Sequence, residues 1–203
     1  GFAQEILGKS AFEVASLAVK GEDDAQRGVG MAVITAATRR LDLPDEKKTE
    51  NPFGLDVRAG DTVGMIGYIP PVAKKLTTIS DRVIIFDRGL SSQGGDGAAQ
   101  SYPMELQSEL LPECDLMIIT GTTLINGTLD QLLDWCKKSR EIVLVGASTP
   151  MIEEAFHATG VTALAGSWWD AAYKQEMFKR LSLSCGIHHL GKMMIKKLVP
   201  VRA

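Results

Sequence analysis

Cysteine and histidine are both scarce in this chain, at three residues each in 203. Cys114, Cys136 and Cys185 stand far apart, which excludes a disulfide framework and a C-x2-C zinc-ribbon spacing and fits a reducing, cytoplasmic setting. Long apolar runs are missing too. No stretch approaches the roughly 18 residues of a membrane span, and the N-terminus has no charged-then-apolar signal layout, so no membrane partner is expected. Charge of one sign is also lacking, with 22 Lys+Arg against 25 Asp+Glu giving a formal −3. Without a basic field there is little to collect nucleic acid, and no nucleic-acid partner is expected. What is present is 45% hydrophobic content, enough for one sizeable α/β domain with a small helical annex.

The first 40 residues read as two helices. Ser10-Ala-Phe-Glu13 is a capping box, in which hydroxyl and carboxylate satisfy orphan N–H groups reciprocally. A second helix is predicted from Asp24 to Arg40, with acids at its start and Arg39 and Arg40 at its end, as the macrodipole favours. Leu41 to Pro52 is charged and proline-punctuated, which marks a linker, so residues 1–50 form a helical piece and linker and 51–203 the main domain. From there β-rich runs alternate with helical segments, the pattern of a mostly parallel sheet with helices on both faces. Strands are predicted at Thr62 to Ile66, Arg82 to Phe86, Leu116 to Thr120, Ile142 to Val145 and Thr162 to Ala165. Helices are predicted at Pro71 to Thr78, Glu105 to Leu111, Leu129 to Ser139, Met151 to Thr159 and Ala171 to Leu183. Thr128 with Gln131 reads as a second capping box, and Thr149 before Pro150 as an N-cap with a first-turn proline. The glycine-rich stretch Ser91 to Ala99 is expected to be a loop over the site.

In an open parallel sheet the ligand crevice lies beyond the carboxyl ends of the strands. Five turns rich in Gly, Ser, Thr and Pro stand there: Gly67-Tyr68-Ile-Pro70-Pro71, Asp87-Arg-Gly89, Gly121 to Thr128, Gly146 to Pro150, and Gly166 to Asp170. The first invites comparison with dinucleotide binding, Asp87 falling where a ribose-binding acid would. The spacing is G-x-x-G, however, and Pro70 and Pro71 remove two backbone donors from the place that should cradle pyrophosphate. The turn Thr120-Gly-Thr-Thr-Leu-Ile-Asn-Gly-Thr128 sets hydroxyls and one amide at a strand end, a composition suited to recognising a neutral polar ligand, although Asn-Gly and Thr also form ordinary turns. Glu153 and Glu154 after Ser148 and Thr149 argue against a phosphate there. No nucleophile with an adjacent base can be assigned from spacing, so no catalytic residue is named.

The runs GMIGYIPPVAKKL, IIFDR, DLMIITGTTLINGTLDQLL, VLVGASTPM and VTALAGSWWD together resemble the Rossmann-like family of unknown function labelled "putative heavy-metal chelation", over about Asp61 to Asp170. Residues 1 to 40 resemble the helical end of the N-terminal, enolase-like domain that accompanies it, without the β-hairpin expected upstream. The resemblance implies an architecture similar to methyltransferases and an inter-domain cleft for a small molecule, either a heterocyclic cofactor or a chelated metal. Carried over by position, its ligand set is Gly67, Tyr68, Pro70, Asp87, Thr120, Gly121, Thr122, Thr123, Asn126, Thr128, Gly146, Ser148 and Thr149.

A soft metal needs clustered Cys and His. The one local cluster is Cys185, His188 and His189, and adjacent histidines diverge on a helix or a strand. Cys114 and Cys136 fit core positions, and His157 a helix surface. Trp168 and Trp169 fit the cleft mouth, one of the pair being expected in the core. The basic, apolar segment Gly191 to Pro200 is expected to pack on the sheet edge or on a second subunit, giving a homo-oligomer. Three readings follow: a small-molecule binding protein with a heterocyclic or nucleoside-like ligand, a metal or metal-chelate binding protein, and a non-catalytic interaction module. The cofactor is not readable.

Overall fold

The computed structural model describes residues 1–46, 51–89, 99–185 and 187–202. Most of the Ser91 to Ala99 loop and part of the expected linker lie outside them. The chain opens with short helices α1 (Phe2–Glu5), α2 (Ala11–Ala15) and α3 (Leu17–Lys20), then the longer α4 (Asp24–Ala37), which a 3₁₀ turn extends through Arg40. The Ser10–Glu13 capping box is present, with the Glu13 carboxylate accepting from both the Ser10 N–H (2.8 Å) and its hydroxyl (2.7 Å). Next come β1 (Thr62–Ile66), α5 (Pro70–Leu76), β2 (Arg82–Phe86), β3 (Ala99–Ser101), α6 (Gln107–Leu110), β4 (Leu116–Thr120), α7 (Thr122–Ile125) and α8 (Leu129–Trp135). The chain finishes with β5 (Glu141–Val145), β6 (Ala163–Trp169), α9 (Lys174–Ser182), α10 (Ile187–Leu190) and β7 (Met194–Pro200).

The sheet order is β3-β2-β1-β4-β5-β6-β7, parallel except for β7, which pairs antiparallel with β6. The reversal of strand order between β1 and β4 puts a topological switch point at their carboxyl ends, the place where such sheets bind ligands. Alternate residues bury on opposite faces. Ile66, Phe86, Met117, Ile119 and Leu144 pack under Leu129 and Leu132 of α8, while Met65, Val83, Ile85, Ile118 and Val143 pack under Ala73 and Leu76 of α5. The amino end of the sheet is stitched by Asp61, whose carboxylate takes both Arg140 Nη1 (3.0 Å) and Arg140 Nη2. Burial raises the Asp61 pKa, but the Arg140 guanidinium and the Arg58 N–H outweigh it and hold the carboxyl below its ordinary value.

Four expectations need correction. Met151 to Thr159 forms only a 3₁₀ turn at Glu153–Phe156, because Ile152 is extended on one side and Ala158 has a positive φ of 60° on the other. Thr149 therefore caps no helix. Thr128 makes no capping box with Gln131, since its hydroxyl donates to Asn126 Oδ1 at 2.7 Å. The helix predicted at Glu105 to Leu111 is reduced to α6 between two 3₁₀ turns, Met104–Leu106 before it and Leu111–Glu113, which holds Pro112, after it. The segment Gly191 to Pro200 does pack on the sheet edge, its Met194–Pro200 part forming the edge strand β7. Its alternation was disguised by Lys197, whose ammonium lies 4.8 Å from the Trp168 ring and donates to the Leu43 carbonyl at 2.7 Å.

Candidate functional site

At the switch point the turns after β1, β2 and β4 close around a cleft of about 520 Å³. Glycine makes the approach of these turns feasible. Gly67 has φ +89°, and a Cβ there would meet Thr120 Cβ and Cγ2 at 3.2 Å. Opposite stands Asp87, whose Oδ2 accepts from the Tyr68 N–H and whose Oδ1 accepts from the Gly89 N–H, each at 2.7 Å. The carboxylate thus ties the first two turns together and keeps further lone pairs.

The β4 turn forms the polar wall. Thr120, Thr122, Thr123, Asn126 and Thr128 all line the cleft. Part of their hydrogen-bonding capacity shapes the turn itself, since Thr123 Oγ1 donates to the Thr120 carbonyl (2.8 Å) and Asn126 Oδ1 accepts from the Thr128 hydroxyl. Thr120 and Thr122 share one hydroxyl contact at 3.2 Å, and the Asn126 amide retains its NH₂ donors. The rest of the lining is apolar at Ile66, Phe86, Met104, Leu132 and Trp135, and polar at Gln107, Gln131 and Arg88. Apolar surface beside oriented amides and hydroxyls suits a small ring with polar substituents.

Seven of the thirteen expected ligand residues come together here: Gly67, Asp87, Thr120, Thr122, Thr123, Asn126 and Thr128. The others do not. Tyr68 is exposed and contributes its backbone N–H to Asp87, and Pro70 is the first residue of α5, outside the cleft lining. Gly121 lies wedged beneath the β5 turn, where a Cβ would sit 2.8 Å from Ser148 C and Thr149 N. Gly146 is a positive-φ turn residue, at +104°, and Thr149 is buried, its hydroxyl finding no partner among the described residues. Ser148 lines a second cleft, of about 360 Å³, on the far side of α7. Thr122, Thr123 and Ile125 of α7 form the partition, the threonines facing the first cleft and Ile125 the second. Sequence reasoning missed Gln131 and Trp135 as lining residues. With Thr128 and Leu132 they follow i, i+3, i+4, i+7 spacing, the signal of one helical face.

Among the described residues no group of three His, Cys, Asp or Glu side chains could hold an ion. Cys114 and Cys136 are in the core, where burial pushes both thiols up to about 12, away from the thiolate form that soft metals need. The side chain of His188 lies outside the description. Cys185 donates its N–H to the Arg180 carbonyl, and Arg180 Nη1 donates to the His189 carbonyl (2.7 Å), which sets a guanidinium against the segment. The donor set of the described residues does not fit a resident heavy metal.

The family model of DUF364, described as "Putative heavy-metal chelation", matches residues 51–200. The chain belongs to the DUF364 family. An uncharacterized protein from Methanocaldococcus jannaschii is 43% identical over 149 residues, which is 71% of this chain and 55% of the relative. The chain thus spans about half the length of that curated protein. A DUF364 protein of unknown function from Pyrococcus horikoshii superposes with a TM-score of 0.79 at 28% identity, covering 95% of this chain and 75% of the other. One from Desulfitobacterium hafniense gives 0.75 at 23% identity, covering 98% and 77%, a likeness of fold. No helix of the described residues is long and apolar enough to cross a membrane.

Proposed function

We propose that this DUF364 chain binds a small, polar, ring-bearing molecule of heterocyclic or nucleoside-like kind in the cleft at the β1/β4 switch point. The observation that carries the reading is the convergence of Thr122, Asn126 and Thr128 on one wall with Phe86 and Trp135 among the apolar lining, around about 520 Å³. A ring gains from the apolar surface, and its hydroxyls or amides gain from donors and acceptors already fixed by the turn. The metal-chelate reading gains nothing comparable from the described residues, because no trio of donors converges.

Thermal-shift screening against nucleosides, S-adenosylmethionine, pterins and flavins tests the proposal, with Asn126→Asp as the control. That change keeps the oxygen that accepts from Thr128 while deleting the amide donors. The expected result is stabilisation of the wild type and a smaller shift in the variant. No stabilisation, or an equal shift in both proteins, would sink the reading.

A further inference from the structure

We infer that the second cleft is a binding site in its own right, taking a planar heterocycle that carries a carboxylate or phosphate and a cyclic-amide edge. The first observation is an exposed strand edge. β6 runs to Trp169, but its last pair with β5 is Ala165 with Val145, so Gly166 to Trp169 are paired only with β7. The Ala165 carbonyl accepts from the Gly146 N–H on the β5 side. By strand alternation the backbone groups of Ser167 and Trp169 point the same way, into the space where β5 has ended. The Trp169 carbonyl accepts from Arg39 Nη1. Ser167, which lines the cleft, offers an adjacent N–H and C=O, the pattern a cyclic amide matches.

The charge is also specified. Among the described residues lining the cleft Arg39 is the only charged one, so none of them sets a carboxylate against an incoming anion. Its bond to Trp169 fixes the guanidinium beside the strand edge, and its other N–H groups form the fork that pairs with carboxylate or phosphate. The residues α4 lends to the slot include the small Gly28, Ala32 and Ala36, and α7 adds Ile125, a lining that suits a thin, planar ligand. Trp168 completes the lining with its ring already held, its Nε1 donating to Thr38 Oγ1 at 3.3 Å. This site is independent of the first cleft, and the three tryptophans separate the two: Trp135 lines the first, Trp168 and Trp169 the second.

The test uses orotate, a cyclic amide bearing a carboxylate, with uracil lacking the charge and benzoate lacking the amide edge. Indole N–H signals of ¹⁵N-labelled protein, assigned with single Trp→Phe variants, report the position of binding. Orotate is expected to shift the Trp168 and Trp169 signals and leave that of Trp135 in place, with uracil and benzoate at least about tenfold weaker, the value of one charge-assisted or amide contact of about 1.4 kcal/mol. Arg39→Gln and Ala32→Leu should each weaken orotate at least tenfold; Ala32 is exposed, so leucine fills the slot without entering the core. No shift with millimolar orotate, a shift confined to Trp135, or unchanged affinity in folded Arg39→Gln and Ala32→Leu proteins would overturn the inference.

Discussion

Replacing Gly121 with alanine sets two effects of opposite sign against each other at the point where the β4 and β5 turns touch. Gly121 has φ −60° and ψ −12°, a conformation alanine adopts freely. From the backbone alone the change should stabilise by about 0.4–1 kcal/mol, through the lower entropy of the unfolded chain. The new Cβ, however, would lie 2.8 Å from Ser148 C, Thr149 N and Thr149 Oγ1, where ordinary contacts begin at 3.4 Å. Two of those three atoms are backbone, so a side-chain rotation cannot relieve the overlap, and the turns must part by about 0.6 Å (3.4 − 2.8). Overpacking of this kind costs about 1–3 kcal/mol, and because backbone atoms on both sides must move the middle of that range applies, which exceeds the entropic gain and leaves a net loss of about 1–2 kcal/mol. For a domain of this size that lowers Tm by about 2–8 °C. Differential scanning calorimetry reads the result, and an unchanged or raised Tm would refute the close contact on which the geometry of both clefts depends.

On α4, Gly28→Ala should stabilise by up to about 1 kcal/mol, since its Cβ meets only Ile125 Cγ2 at 3.8 Å. Gly30→Ala should destabilise by about 2 kcal/mol or more, its Cβ falling 2.1 Å from the Ala18 N of α3; urea midpoints compare the two. Asp61→Asn should cost about 2 kcal/mol by leaving the partly buried Arg140 short of its partner. Because the Asp61 carboxyl titrates below its ordinary 3.8, its contribution is complete above that pH and is lost as the pH falls through the lower folded value; urea unfolding between pH 5 and 2.5 should show that acid limb flattened in the variant. A disulfide reagent at pH 8 should modify Cys185 quickly and reach the buried Cys114 and Cys136 only after denaturation, so rapid titration of all three would contradict the core assignment.

The sheet was legible because its central strands are continuous apolar runs. Thr62 to Ile66, Arg82 to Phe86 and Leu116 to Thr120 needed nothing beyond β-branched and apolar content between turn residues. The edges were not. Three residues of β3 are too few to show alternation, and the inward Lys197 of β7 reads as polar although the sheet buries its stem. The site was legible in outline, since strand-end position selected Gly67, Asp87 and the β4 turn without knowledge of contacts. Two features lay beyond that logic. α7 divides the strand ends into two clefts, which sent Ser148 away from Asn126, and the apolar lining came from Met104 and from the α8 face bearing Trp135. Such pairings are decided by packing between segments remote in sequence, for which a single chain carries no local signal.

The most direct measurement is the indole N–H spectrum of the ¹⁵N-labelled protein during titration with adenosine, an uncharged nucleoside of the proposed ligand class. Binding at the switch point predicts a saturable shift of the Trp135 signal, weakened in Asn126→Asp, while Trp168 and Trp169 stay in place. A Trp135 signal that does not move at millimolar nucleoside, or one that moves equally in Asn126→Asp, would contradict it.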